Sequence, residues 1–213
     1  MENEWLQRWE DRFQKEEYAY GIEPNKFLAQ QLNHFKPGKI LFGAEGEGRN
    51  AVYAAKEGWN VSAFDISTEG KNKALKLAKS NQVHIDYRVG HLPDLKFKPN
   101  HFDVIALIYA HFPPEIRKKF HSIVSTHLKP GGRIIFEAFG EHHLKYRKEN
   151  PNVGGPKDQA SLFSKKEAQK DFKDFKVILL EEKPVTSRRF ISQWHRICTP
   201  FYRRKVIVQN YRI

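Results

Sequence analysis

Two glycines and an acid are the first residues whose types and spacing could do chemistry. Gly46 and Gly48 stand in the turn Gly43-Ala-Glu-Gly-Glu-Gly48, between a short apolar run, Lys39 to Phe42, and a helical stretch, Arg49 to Lys56. A second β-like run, Asn60 to Phe64, closes on Asp65. In a parallel α/β sheet such glycines let the backbone approach a ligand closely, and an acid ending the second strand can accept both hydroxyl hydrogens of a ribose. The alternatives are a plain tight turn and an acid favoured by a helix N-terminus. Glu45 and Glu47 would repel a pyrophosphate, and no Gly-Lys-Ser/Thr ending makes the turn a phosphate loop. A ligand with a ribose and an amino-acid end but no phosphate fits better, with Glu45 or the nearby backbone meeting its ammonium group. S-adenosylmethionine is such a ligand.

The elements that must position these residues alternate. Helices are predicted over 4–18, from about Pro24 to Leu32, and over 49–56, 69–80, 113–128 and 164–172, where Ser164 to Glu167 has the form of a capping box. Strands are predicted over 39–42, 60–64, 85–89, 102–108, 133–139 and 175–180, and 140–160 is loop-like. This order implies an α/β fold, a Rossmann-like doubly wound, mostly parallel sheet with helices on both faces. Such sheets bind ligands at the carboxyl ends of their strands. Lys71, Lys73, Lys76 and Lys79 read as a solvated helix face.

The chain has 213 residues, 39% of them hydrophobic and 13% aromatic, which suits one folded domain and excludes a disordered chain. One cysteine excludes a disulfide framework, and ten histidines without ligand spacing give no metal site. No apolar run reaches about 18 residues and the first residues lack a signal-peptide layout, so a cytoplasmic protein with no membrane partner is expected. The net charge is +12, and residues 187–213 hold seven Lys and Arg and no acid, leaving +5 for the rest. A basic tail can serve nucleic acid or a membrane surface.

Ile40 to Ala55, with Glu47-Gly48-Arg49-Asn50-Ala51 at its centre, resembles the first motif of class I S-adenosylmethionine-dependent methyltransferases, in the form of the tellurite-resistance and thiopurine methyltransferase-like branch. Val61 to Ser67 is similar to the second motif. Phe102 to Ile105 with Tyr109-Ala110-His111-Phe112, and Leu128 to Phe136, are similar to the fourth- and fifth-strand motifs. Trp9, Arg12-Phe13, Tyr20-Gly21 and Pro24-Asn25 resemble the amino-terminal segment that closes over the cofactor. The likeness covers about 5–182. Phe42 and Ala44 stand where the usual first motif has an acid and a glycine, and His91 stands near the usual adenine-side acid.

The resemblance implies a methyltransferase domain over 1–186, with 1–36 as cofactor-covering helices. S-adenosylmethionine would be held by Gly43, Glu45, Gly46, Gly48, Arg49, Asn50, Asp65, Ile66, Ser67, Gly90, His91, Leu92 and Ile108. Methyl transfer from a sulfonium needs mainly alignment, and a base only where the acceptor carries a proton that must leave. His111 is the candidate base, with Tyr109 beside it; a capping or packing histidine is the alternative. Tyr20, His142 and Tyr146 are candidates for the acceptor side, the latter two in a loop that is either a lid or solvated. The expected partner is a small-molecule acceptor with a sulfur, nitrogen, oxygen or chalcogen nucleophile, on a monomer or weak homodimer. The core does not call for nucleic acid. An RNA or protein methyltransferase, and a cofactor binder without turnover, are the competing functions.

Residues 187–213 read as an atypical tail. Composition changes abruptly after Thr186, and the apolar last strand of the family is missing where expected. This is what a shifted reading frame would leave, and losing that strand would expose a sheet edge. The coding DNA read one nucleotide later from Arg188 is expected to spell a glycine-containing hairpin ending in Val-Leu-Arg-Phe-Ile-Gly-Glu-Lys. Early stops or unrelated residues in that frame would dismiss the shift.

Overall fold

The computed structural model describes residues 2–110, 112–150, 153–191 and 195–210, with no account of side chains over 183–206 and 208–210. Seven strands form one sheet: β1 (Lys39–Gly43), β2 (Asn60–Asp65), β3 (Asp86–Val89), β4 (Phe102–Ile108), β5 (Leu128–Phe139), β6 (Phe175–Ile191) and β7 (His195–Asn210). Their order is β3-β2-β1-β4-β5-β7-β6. The first five are parallel, and β7 lies antiparallel between β5 and β6. The order reverses between β1 and β4, so a crevice opens where their carboxyl ends diverge.

Seven helices accompany the sheet: α1 (Glu2–Phe13), α2 (Lys26–Leu32), α3 (Arg49–Lys56), α4 (Thr68–Ser80), α5 (Pro114–Thr126), α6 (His143–Glu149) and α7 (Lys165–Asp171). Alternate strand residues feed two cores, because successive side chains point to opposite faces. Ile40, Phe42, Val104 and Ala106 pack with Leu28, Ala51 and Ala74 of α2, α3 and α4. Leu41, Ile105, Leu107 and Phe136 pack with Phe120 and Val124 of α5 and Ala168 of α7. The strands are apolar on both sides because helices cover both faces. Among the described residues no helix is long and apolar enough to cross a membrane.

The first helix ends at Phe13 rather than near residue 18, because Lys73 Nζ takes the carbonyls of Lys15 and Glu17, at 2.7 Å each, out of any helical ladder. Lys73 therefore leaves the expected solvated lysine face. The 140–160 stretch is not all loop. It carries α6, and Arg147 Nη1 gathers the carbonyls of Val153 and Gly155 at 2.6 and 3.1 Å.

The expectation of a missing last strand and an open edge is overturned. Residues 203–209 of the basic tail pair with β5 from Phe139↔Arg203 to Arg133↔Gln209, and the same stretch pairs with β6. Pairing needs only backbone groups and a β-compatible run, which Val206-Ile207-Val208 supplies. Ile207 is buried in the first core. Ile207→Ala is therefore expected to lower stability by about 2–4 kcal/mol in equilibrium denaturation, the cost of truncating a core isoleucine. An unchanged midpoint would mean that the tail does not occupy this slot in solution.

Candidate active site

The turn after β1 is held by a carboxylate on β2. Asp65 Oδ2 accepts the Gly46 N–H at 2.9 Å and Oδ1 accepts the Ser67 N–H at 3.0 Å. Asp65 is 7% exposed, and burial pushes its carboxyl up to about 6 against the pull of those hydrogen bonds. A carboxylate has about four acceptor positions, and with the Ile66 N–H also bonded to this one, capacity remains for a further donor such as a ribose hydroxyl. Ile66 follows, half-buried, and the Asp65 carbonyl accepts the Gly90 N–H at 3.0 Å. This brings Gly90, His91 and Leu92 beside the end of β2. Leu92 itself is buried in the second core and offers only backbone to a ligand, while His91 starts the short 3-10 turn Leu92–Asp94. Ile108 is buried at the end of β4 in the first core.

The glycines answer to the protein before any ligand. A Cβ on Gly43 would meet Leu107 at 2.8 Å, one on Gly46 would meet Phe13 of α1 at 2.9 Å, and one on Gly48 would meet Ala74 Cβ at 2.5 Å. Gly48 also sits at φ 83°, a left-handed conformation that glycine adopts without strain. Close helix packing and the seat for α1 thus account for Gly46 and Gly48, where sequence reasoning invoked close approach of a ligand.

Both glutamates of the turn have partners within the protein. Glu45 is half-buried and caps α3: its Oε1 accepts the N–H groups of Asn50 and Ala51 at 2.9 and 2.8 Å, and Asn50 Nδ2 lies 3.4 Å from Oε2. Burial pushes its carboxyl up to about 7. Glu47 is paired with Lys73 Nζ at 2.6 Å, with side chains 3% and 12% exposed. Arg49 is held lower than usual by burial, opposed by the nearby charges of Glu45, Tyr109, Tyr20 and Glu137. It donates Nη1 to the Tyr20 carbonyl at 2.9 Å, and Arg12 Nη1 donates to the Tyr20 hydroxyl at 2.8 Å. Tyr20 is thus drawn to the glycine turn by two arginines.

The amino-terminal segment is clasped over this region. Glu10 of α1 accepts from Ser67 Oγ at 2.6 Å and from the N–H groups of Thr68 and Glu69 at 2.8 and 3.0 Å, capping α4. Partial burial pushes its carboxyl up, but these bonds outweigh it and hold it below the usual range. Trp9 stacks on Phe13 at 5.5 Å, and Phe13 fills the notch over Gly46.

Tyr109 follows β4 at φ 54°, donating its N–H to the Glu137 carbonyl at 2.7 Å. Its ring lies 4.8 Å from that of Phe139, which lies 4.4 Å from that of His143 in α6. His142 is exposed and meets Glu182 at 3.3 Å, and Tyr146 is half-buried within α6. His111 lies outside the described residues. Sequence reasoning missed Glu10 and Glu137, placed Asn25 only in the covering segment and read Lys73 as solvated. Only Glu137 carried a signal, a lone charge within the apolar run from Ile134 to Phe139. A cavity of about 370 Å³ between Phe35, Trp59, Lys129 and Arg133 lies at the amino ends of the strands, away from this site.

Comparison with known proteins agrees with this geometry. Residues 40–132 match a family described as a methyltransferase domain. No curated protein matches the chain. Among solved structures it is similar to an S-adenosylmethionine-dependent methyltransferase from Methanosarcina mazei, with TM-score 0.69 and 20% identity over 89% of this chain and 99% of that one. TehB from Haemophilus influenzae gives TM-score 0.69 and 16% identity over 95% and 67%. Magnesium protoporphyrin IX methyltransferase from Synechocystis, with S-adenosylhomocysteine bound, gives TM-score 0.63 and 16% identity over 86% and 80%.

One test bears on the buried charges. Lys73→Met would strand the Glu47 carboxylate, and a loss of about 3 kcal/mol is expected in chemical denaturation. A loss under about 0.5 kcal/mol, the size of an exposed pair, would contradict the buried pairing. With the glycine turn, Asp65 and the crevice between β1 and β4 in place, residues 40–132 match a methyltransferase-domain family, and the chain has the fold seen in S-adenosylmethionine-dependent methyltransferases.

Proposed function

We propose that this enzyme transfers a methyl group from S-adenosylmethionine to a sulfur, nitrogen, oxygen or chalcogen nucleophile on a small molecule. The observation that carries the reading is Asp65, a buried carboxylate with acceptor capacity to spare, at the end of β2 beside the crevice. Bound there, the cofactor supplies an electrophilic methyl group on a sulfonium. Asp65 accepts from the ribose, and the Gly90 to Leu92 backbone borders the adenine. Glu45 and Arg49, oppositely charged and close together, suit the ammonium and carboxylate of the methionine end. The clasped α1 and Tyr20 exclude water from it.

The acceptor then approaches over Tyr109, against the aromatic wall of Phe139 and His143. A wall of packed rings suits a small, partly apolar acceptor. The similar magnesium protoporphyrin IX methyltransferase is named for such a molecule. His111, two positions beyond Tyr109, is the candidate base, and His142 and Tyr146 are candidates at the outer rim. The Arg49-Asn50 pair, the amino-terminal segment and the likeness to TehB support the tellurite-resistance-like branch.

Calorimetric titration with S-adenosylmethionine tests the reading. Asp65→Asn is expected to weaken binding by roughly a hundredfold, since hydrogen bonding to a charged group is lost. Wild-type affinity is expected to rise from pH 5 to pH 7. Glu45 at about 7 and Asp65 at about 6 are largely protonated at the lower pH. Ligand groups that favour the carboxylates lower both values, so binding releases protons and strengthens as pH rises through this window. Folded wild-type protein that binds no S-adenosylmethionine would sink the proposal.

A further inference from the structure

Glu137 of β5 is fully buried, in a strand that is otherwise apolar from Ile134 to Phe139. Its Oε2 accepts a 2.5 Å hydrogen bond from Asn25 Nδ2. Asn25 is buried as well. Its Oδ1 accepts the Leu28 N–H at 3.0 Å and caps α2, while its own N–H donates to Asn50 Oδ1 at 2.9 Å. With that carbonyl engaged, Asn50 turns its amide nitrogen toward Glu45 Oε2, 3.4 Å away, and its backbone N–H donates to Oε1. The run Glu137, Asn25, Asn50, Glu45 therefore joins β5, the start of α2, and the glycine turn with the α3 that follows it. The backbone carbonyl of Glu137 also receives Tyr109. One residue thereby anchors both the cofactor side and the acceptor side.

The fold does not need a charge here. Buried ionised groups are costly, and apolar residues in their place are often neutral or stabilising. A strand between two hydrophobic cores would hold its place with leucine at this position.

We infer that Asn25 and Glu137 are positioning residues for the methionine end of the cofactor, acting through Asn50 to aim the Glu45 carboxylate. This rests on the S-adenosylmethionine reading above. The carboxylate of Glu137 holds the Asn25 side-chain amide and so fixes the start of α2, and the backbone N–H of Asn25 held there sets the orientation of Asn50. Asn50 and the amino end of α3 then keep Glu45 from swinging out of the turn. The arrangement also makes the seat of Glu45 depend on the amino-terminal segment being docked, because Asn25 belongs to it.

The test compares two ligands that differ only at the end in question: S-adenosylhomocysteine, and 5′-methylthioadenosine, which lacks the amino-acid part. Asn25→Ser keeps a side chain able to cap α2 but removes the donor to Glu137. Glu137→Gln keeps an acceptor oxygen and removes the charge. In calorimetry Asn25→Ser is expected to weaken S-adenosylhomocysteine roughly ten- to hundredfold while 5′-methylthioadenosine stays within about twofold, the loss being that of hydrogen bonds made to charged groups. Glu137→Gln is expected to show the same selectivity with a smaller loss. Equal losses for both ligands would mean a general structural role and overturn the inference, as would unchanged binding of S-adenosylhomocysteine. Wild-type protein that binds neither ligand would instead refute the cofactor reading, and the positioning role with it.

Discussion

The Asp65 carboxylate ties the Gly46 amide to the Ser67 amide, and so joins the turn after β1 to the start of α4. Much of the site is referenced to this link. With Gly46 held, Phe13 has a flat seat and α1 can lie across the turn. With Ser67 held, its hydroxyl is placed for Glu10, which closes the same helix from the other side. The Tyr87 hydroxyl adds a 2.6 Å bond to the Gly46 carbonyl from β3. A carboxylate accepting backbone N–H groups is a strong and directional partner, because charge strengthens each bond in a poorly solvated setting.

Carboxylates recur as joints throughout the site. Glu10 caps α4, Glu45 caps α3, Glu137 grips the cap of α2, and Glu47 takes the lysine that ends α1. Helix amino ends carry unsatisfied N–H groups and a positive partial charge, so acids there satisfy donors and favour the dipole together. The consequence for function is a negative lining balanced by Arg49 and Arg12. Such a lining suits a cationic, zwitterionic ligand better than a phosphate. The acids of the turn thus disfavour phosphate, as their types alone suggest, although the structure uses them as caps and ion pairs.

The sheet supplies rigidity where the site needs it. Ile40, Leu41 and Phe42 are fully buried between two cores, and their strand ends at the turn. The reversal of strand order leaves the ends of β1 and β4 without a connection between them, and the glycine turn and Tyr109 follow those two strands while Asp65 ends β2. The stretch beyond β5 is held by ring contacts rather than by a strand. Phe139 bridges Tyr109 and His143, so the stretch after β5 is bound to the end of β4.

Hydrophobic alternation and glycine placement in the sequence determined the five parallel strands, most helices and the glycine turn with Asp65, because these depend on neighbours a few residues away. The same local logic misread what depends on distant partners. Lys73 looks like one of four solvated lysines until Glu47 and two carbonyls come to it from other segments. Glu10 and Asn25 carry no local mark of their partners, 57 and 112 positions away along the chain. The last strand was hidden for a related reason. Arg203 to Gln209 reads as a basic tail, and only the open edge of β5 makes it a strand, since backbone pairing is indifferent to most side chains. Which residues share a site was a tertiary decision, made by the reversal of strand order and by buried carboxylates that must find donors wherever the fold brings them.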